Sequence, residues 1–440
     1  MLFFISITKH IFLYGKIPVF LLAVSTIINS LSGKIQHQNN RIGCSVDTRI
    51  IKQKVTQAAE ILQELDIDVW LIFVRESHTM PDPAIELAVG TNVTWQSAFI
   101  IHRSGDTTAI VGSLEVPNTA SAGIYKNVIG YVQSVKEPLL NYFTKTNPAK
   151  IAINYSLHSN LADGLTYGMY LSLLNYFEGT PFVNRFISSE DIIAHLQGRK
   201  SDAEIAFMQT AIDETLEIYS RTTGFISAGK TEKDIADFIK SEVNNLGREL
   251  AWEAEHCPAV YTGPETAGAH SGPTDRIVEK GHIINIDYGT KFNGYCSDLQ
   301  RTWYVLRDGE NSAPPEVQHG FDTIAEAINR AANKLKQGTC GWEIDAEARD
   351  YIVSRGYEEY QHGLGHQVGR VVHDGGAGLF PRWERYGNLP FIPITKGQVF
   401  TIEPRLLVKG FGVCTIEEMV QVTEDGCRFL SNRQLELWVV

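Results

Sequence analysis

The chain has 440 residues, which is too long for one ordinary hydrophobic core and therefore predicts two domains. Hydrophobic residues make up 43% of the chain and charged residues 20%, a balance that excludes an intrinsically disordered protein. A net charge of −12 would repel phosphate backbones, so no nucleic-acid partner is expected. The six cysteines include no C-x-x-C pair, which argues against a cysteine-based zinc site and a disulfide-rich scaffold.

Residues 1–32 have the features of a secretory signal segment. No acidic residue precedes Asp47, the early charges are basic, and the apolar run 17–28 is followed by small residues around Ser32. A positive start, a short apolar core and small residues near a cleavage point are typical of exported proteins. We therefore expect a periplasmic or extracellular protein, or a cytoplasmic one if this segment is not a true signal.

Residues 47–190 are predicted to form an α/β domain. Apolar residues recur at three- and four-residue intervals from Ile51 to Leu65, which indicates an amphipathic helix. The apolar run 69–74 predicts a buried strand, and further strands are predicted over 98–102, 108–112 and 151–154. We find no catalytic constellation in this region.

Residues 195–440 are predicted to form an α+β domain after a polar boundary at 197–202. Stripes of apolar residues predict helices over 205–219 and 317–335. Thr231 and Asp234 form a predicted capping box that begins another helix, which continues to Leu246. Glycine-punctuated strand segments around 282–306, 361–373 and 398–423 lie between the helices and contain the candidate metal ligands.

Two aspartates follow strand-like segments of this second half. Asp287 ends an apolar run just before a turn, and Asp298 comes eleven residues later in a second strand-like segment. A hairpin of these strands would bring both carboxylates to one point. Alone this signal is weak, because acids beside turns are common and usually solvated.

Three histidines, His362, His366 and His373, lie within twelve residues. A helical zinc motif with histidines four residues apart needs a glutamate after the first one, whereas this chain has Gly363 there. Gly363 and Gly365 also disfavour a helix, and a glycine-rich strand or loop would let the backbone approach a ligand closely. Purely structural histidines are the alternative, but they do not account for this concentration.

Glu403 and Glu417 each follow an apolar strand residue. With Asp287, Asp298 and His366 they form a set of hard oxygen donors and one imidazole, which suits Mn²⁺, Fe²⁺, Co²⁺ or Zn²⁺. Four crowded carboxylates would bind protons, whereas a pair of divalent ions would hold them ionised. We therefore predict two divalent metal ions, with Mn²⁺ as the first expectation.

The order of these residues resembles the pita-bread metallopeptidases, the family of aminopeptidase P, prolidase and methionine aminopeptidase. The resemblance covers about residues 195–440, and the upstream domain is similar to the creatinase-type N-terminal domain. The matching motifs are Asp287-Tyr288-Gly289, residues 297–302, residues 362–366 with His373-Asp374, and residues 401–404. The implied fold is an α/β N-terminal domain followed by an α+β pita-bread catalytic domain.

The resemblance also implies roles for the metal ligands. Asp287 would chelate one ion and His366 the other, Asp298 and Glu417 would bridge both, and Glu403 would be both ligand and proton shuttle. A hydroxide bridging the two ions would attack the N-terminal bond of a small peptide, including an Xaa-Pro bond.

The histidines outside the ligand set would serve the substrate. His373 would stabilise the developing oxyanion together with one metal, while His270 and His362 would line the substrate pocket. The resemblance further implies a homodimer or a larger homo-oligomer.

Two departures from the family pattern leave Xaa-Pro selectivity open. Thr415 stands where proline-directed relatives carry an arginine, and Arg405 stands where a glycine commonly follows Glu-Pro. The alternative is a pita-bread enzyme acting on a non-peptide small molecule, as a C–N hydrolase or a lyase, because a fold alone does not determine a reaction. A binding module without catalysis would show substituted ligands, and none of the five is substituted. No G-x-S-x-G motif supports a serine hydrolase.

Overall fold

A computed structural model of the protein describes residues 48–157, 159–264 and 271–440. The predicted signal segment 1–32 and His270 lie outside the described residues, so export stays a prediction. Within these ranges, no helix is both long and apolar enough to cross a membrane. Residues Val46–Val440 group as one compact unit, and the predicted domain boundary at 190–195 stays a prediction.

A six-stranded sheet occupies the first part of the described chain, with strand order β4-β3-β2-β1-β5-β6. Strand β2 runs antiparallel to both of its neighbours, and the other neighbouring strands pair in parallel. The strands are β1 (Val69–Val74), β2 (Ser97–His102), β3 (Thr107–Gly112), β4 (Asn127–Tyr131), β5 (Ile151–Ile153) and β6 (Phe186–Ser188). The accompanying helices are α1 (Thr48–Glu64), α2 (Val116–Ala122), α3 (Lys136–Thr146), α4 (Tyr167–Tyr176) and α5 (Glu190–Gly198).

Both faces of this sheet are covered, which explains why β1 is a continuous apolar run. Successive side chains of a strand point to opposite faces. Trp70 and Ile72 accordingly pack in one hydrophobic cluster with residues of α1 and α5, whereas Leu71 and Phe73 pack in a second cluster with residues of α3 and α4. The strand and α1 confirm the elements predicted from the sequence.

Four further helices and several small sheets follow. The helices are α6 (Asp202–Phe225), α7 (Glu232–Asn245), α8 (Pro315–Lys334) and α9 (Gly341–Ser354). The strands are β7 (Glu249–Leu250), β8 (Ala259–Thr262), β9 (Ile283–Tyr288), β10 (Thr290–Phe292), β11 (Tyr295–Cys296), β12 (Leu299–Tyr304), β13 (Val399–Ile402), β14 (Arg405–Val408), β15 (Gly412–Thr415), β16 (Glu418–Val422), β17 (Cys427–Phe429) and β18 (Trp438–Val439). Short helical turns span Ile85–Val89, Asn160–Ala162, Pro181–Arg185, Glu384–Tyr386 and Leu389–Phe391.

The sheet that positions the candidate site has strand order β18-β12-β9-β8 and lies between two pairs of helices. Ile284 and Ile286 of β9 pack in a cluster with α6 and α7, whereas Ile283 packs in the cluster that contains α8 and α9. The remaining sheets have the orders β13-β16-β17, β11-β10-β7 and β14-β15. Thr231 and Asp234 form the predicted capping box at the start of α7.

Candidate metal centre

The predicted hairpin brings the two aspartates together. Strands β9 and β12 pair antiparallel, with Gln300 directly opposite Asp287, and Asp298 immediately precedes β12. The side-chain amide of Gln300 donates to Asp287 Oδ2 at 3.1 Å. The charge of Asp298 acts on Asp287 strongly enough to raise its pKa, after the larger effect of burial.

His366 and Glu403 come from two segments joined by backbone hydrogen bonds. The N–H of Thr401 donates to His366 O at 2.9 Å, and the N–H of Glu403 donates to Leu364 O at 2.8 Å. His366 Nε2 consequently lies 3.3 Å from Glu403 Oε1. Gly365 permits this approach, because a Cβ at that position would lie 2.0 Å from the carbonyl oxygen of Thr401.

Glu417 completes the group from the connection between β15 and β16. Its backbone N–H donates to Gln300 O at 3.2 Å, which holds it beside the hairpin. Asp298, His366 and Glu417 each offer one ligand atom, and these atoms all lie within 4.8 Å of one another. With Glu403 next to His366 and Asp287 next to Asp298, the five predicted ligands occupy one region.

Two buried carboxylate oxygens in this region fit a cation. Asp287 Oδ1 and Glu417 Oε2 have no hydrogen-bond partner in the part of the chain that the structure describes. A buried, unpaired carboxylate oxygen costs free energy unless a cation or a proton satisfies it. Four carboxylates and one imidazole are donors suited to divalent Mn, Fe, Co or Zn, so the residues present fit the predicted ions.

The electrostatics of these side chains show the same crowding. Burial and then the neighbouring carboxylates raise the pKa of Asp287 and Glu417 well above the usual range. Burial, partly offset by His366, raises the pKa of Asp298 to about 7. Burial would also raise the pKa of Glu403, but the hydrogen bond and charge of His366 outweigh it and lower that pKa. Acids that hold protons in this way are ready to exchange them for cations.

His362 and His373 border the group. The ring of His373 lies edge-on to that of His366, with centroids 4.3 Å apart. Burial lowers the pKa of His362, which therefore favours the neutral imidazole. Arg349 Nη2 donates to the carbonyl oxygen of His362 at 2.7 Å and fixes this segment.

The sequence interpretation missed two residues that hold the ligands in place. Gln300 contacts Asp287, and it lies two residues after Asp298, so the period of two along a strand could have indicated it. Arg301 is fully buried and donates to the carbonyl oxygens of Gln300 and Glu417, both at 2.8 Å. It also pairs with Glu418 Oε2 at 3.1 Å, which locks the strands next to Asp298 and Glu417 together.

Comparison with known proteins gives a consistent result. Residues 206–424 match the model of metallopeptidase family M24. The chain is 28% identical over 275 residues to an Xaa-Pro dipeptidase of Pyrococcus furiosus, a match that covers 62% of this chain and 74% of that protein. It also resembles the solved X-Pro aminopeptidase of Thermotoga maritima, at 24% identity and a TM-score of 0.62, over 88% of this chain and 99% of that one. The solved Xaa-Pro dipeptidase of Bacillus anthracis is similar at 21% identity and a TM-score of 0.66, over 89% of this chain and 100% of that one. These likenesses confirm the predicted fold class.

Proposed function

Because the chain belongs to metallopeptidase family M24, and is thus a metal-dependent peptidase, we propose that it hydrolyses the N-terminal bond of small peptides, including Xaa-Pro bonds, with two divalent ions. The observation that supports this proposal best is the buried group of Asp298, His366 and Glu417, with Glu403 and Asp287 beside it. The similar relative from Pyrococcus furiosus is named an Xaa-Pro dipeptidase, which supports the substrate class. Mn²⁺ is our first choice of ion, since the donors are mainly carboxylates.

Asp287, Asp298, His366, Glu403 and Glu417 would hold the ions. When bound, a pair of divalent ions supplies Lewis acidity, which polarises the scissile carbonyl and lowers the pKa of water. The orientation of the carboxylates is provided by the protein: Gln300 holds Asp287, and Arg301 holds the backbone of Glu417.

Glu403 is the proposed proton carrier of the reaction. A glutamate carboxylate beside the ions can accept a proton from water and deliver it to the leaving amine. The edge-on contact of His373 with His366 supports a role in which the ring N–H of His373 donates to the developing oxyanion. His362, favoured in its neutral form by burial, would line the pocket without adding charge.

The test is product analysis on peptides after metal reconstitution. The protein is treated with a chelator, reloaded separately with Mn²⁺, Zn²⁺, Co²⁺ or Fe²⁺, and incubated with Xaa-Pro and Xaa-Ala peptides. We expect release of the free N-terminal amino acid, and loss of turnover but not of peptide binding in Glu403→Gln. The matched control Glu424→Gln, at an exposed position, should keep full activity. No cleavage of any peptide, together with turnover of a non-peptide amide, would establish the alternative function.

Assembly and location rest on the sequence alone. The family resemblance supports a homodimer or larger homo-oligomer, which light scattering of the purified protein would detect. The N-terminal segment supports export, and fractionation of the native host with N-terminal sequencing would show whether the segment is removed.

A further inference from the structure

The two positions at which this chain departs from the family pattern lie opposite each other. Arg405 on β14 pairs directly with Thr415 on β15. Directly opposed residues of an antiparallel pair project from the same face. Thr415 Oγ1 donates to Gln300 Oε1 at 3.0 Å, and Gln300 in turn contacts Asp287. The side chain of Arg405 therefore leaves the ribbon on the side where the candidate ligands lie.

The guanidinium of Arg405 has no carboxylate partner and no hydrogen-bond acceptor in the described ranges 48–157, 159–264 and 271–440. It is partly buried, and burial lowers its pKa, although an arginine stays charged at physiological pH. By contrast, Arg349 is satisfied by carboxylates and carbonyl oxygens, and Arg301 pairs with Glu418. The N–H donors of Arg405 therefore reach no acceptor among the described residues and are available to a ligand that accepts hydrogen bonds from them.

The surroundings of Arg405 belong to the predicted substrate pocket. The charge of Arg405 acts on the pKa of His362 and on the pKa of Tyr261, which lies on β8. The pKa of Tyr261 is also affected by the charge of Asp287. The predicted pocket thus combines a carboxylate-rich metal centre with the positive charge of Arg405, which no carboxylate of the described residues compensates. A planar guanidinium binds a carboxylate through two parallel hydrogen bonds, which is the natural complement of such a charge.

We propose that Arg405 binds the free C-terminal carboxylate of a dipeptide or tripeptide whose N-terminal bond lies at the metal centre. Arg405 follows Glu403 by two residues, so their Cα atoms are at most about 7 Å apart. A dipeptide places its carboxylate about 3.5 Å, or one residue, beyond the bond to be cleaved. The inference rests on the proposed peptidase function and specifies its substrate as short peptides with a free carboxyl end.

The experiment compares free acids with amides of the same peptides. Ala-Pro and Ala-Ala are assayed as free acids and as C-terminal amides with the metal-loaded wild type, Arg405→Gln, Arg405→Lys and the control Lys409→Gln. Lys409 is exposed between β14 and β15, so its substitution removes a nearby charge outside the pocket. Loss of a charged hydrogen bond is expected to raise KM for the free acids about tenfold or more in Arg405→Gln. In Arg405→Gln, kcat for the free acids and the kinetic constants for the amides should change little. The KM of Arg405→Lys for the free acids should lie between those of the wild type and Arg405→Gln.

Each outcome separates this inference from the function on which it rests. The carboxylate-binding role would be overturned if the wild type cleaved acids and amides with equal KM. It would also be overturned if Arg405→Gln changed KM for acids and amides by the same factor. Neither result would contradict the proposed peptidase function. No cleavage of any of the four substrates would overturn both. Should Arg405→Gln not fold, the ratio of KM for the free acids to KM for the amides is compared between the wild type and Arg405→Lys. An unchanged ratio would overturn the carboxylate-binding role.

Discussion

Gln300 joins Asp287 to Thr415 across two sheets. It donates to Asp287 Oδ2 at 3.1 Å and accepts from Thr415 Oγ1 at 3.0 Å, while Asp287 Oδ1 is left without a partner among the described residues. The contact fixes the carboxylate of Asp287 so that one oxygen is directed by the protein and the other is available to a cation. Residues that orient a metal ligand in this way are part of the metal site.

Replacing Gln300 should therefore weaken metal binding. We expect Gln300→Leu to lower the affinity for the divalent ions about 10- to 100-fold, because Asp287 loses its orienting donor. The measurement is a competition titration of the chelator-treated protein. Gln318→Leu, on the surface of α8, serves as the control and should bind metal as the wild type does. Equal affinity in Gln300→Leu and the wild type would show that Gln300 does not orient a ligand.

The buried ion pair of Lys200 and Asp374 is expected to support the segment that contains His373. Lys200 Nζ lies 2.6 Å from Asp374 Oδ2, with both side chains almost completely buried. Asp374→Asn should lower the free energy of unfolding by about 3–5 kcal/mol, because it leaves a buried lysine unpaired. Glu424→Gln breaks the exposed pair with Lys396 and should cost at most about 1 kcal/mol. Chemical denaturation measures the free energy of unfolding of both variants. Similar losses in Asp374→Asn and Glu424→Gln would contradict the expected difference between the buried and the exposed ion pair.

The metal-free protein should lose stability as the pH rises from 6 to 9. The pKa of Asp298 is raised to about 7 in the fold, against about 3.9 for an unfolded aspartate. The contribution of Asp298 to the stability of the fold is therefore fully present below about pH 4 and is lost as the pH rises through 7. Burial lowers the pKa of His366, but the neighbouring Glu403 and Asp298 outweigh it and raise that pKa to about 9. The contribution of His366 to the stability of the fold is therefore present below about pH 6.5 and is lost as the pH rises through 9. Glu403, with its lowered pKa, is already ionised throughout this window.

Denaturation midpoints with and without chelator across this pH range measure the effect. The metal-loaded protein should vary less, because cations keep the acids ionised. Asp298→Asn in chelator should show a smaller loss than the wild type below pH 8. A midpoint that is constant or rising from pH 6 to 9 in chelator would contradict the assigned electrostatics.

Local patterns predicted the elements whose burial is regular. The apolar run of β1, the stripe of α1 and the capping box of Thr231 were all recognisable, since each depends on neighbours along the chain. Strand β4 was missed because it lies at the sheet edge with largely exposed residues and shows no apolar alternation. Helix α9 was missed as well, and its stripe includes the buried polar residues Asp345 and Arg349, which satisfy each other only in the fold.

The candidate site divides in the same way. The approach of Asp298 to Asp287 followed from a hairpin pattern, and the order of the ligands followed from motifs. The close approach of Gly365 to Thr401 and the contacts of Arg301 depend on segments far apart in sequence, which periodicity does not report. Whether Arg405 is paired or free could likewise be decided only once its neighbours were placed.

The most direct test of the dinuclear centre is the metal content of the manganese-loaded protein, compared with that of Asp298→Asn. The arrangement of the five ligands predicts two divalent ions per chain in the wild type, and loss of at least one ion together with turnover in Asp298→Asn. Asp308→Asn, at an exposed position, should keep both ions and full turnover. A wild-type protein that binds no divalent ion, or an Asp298→Asn variant with unchanged metal content and turnover, would contradict the account.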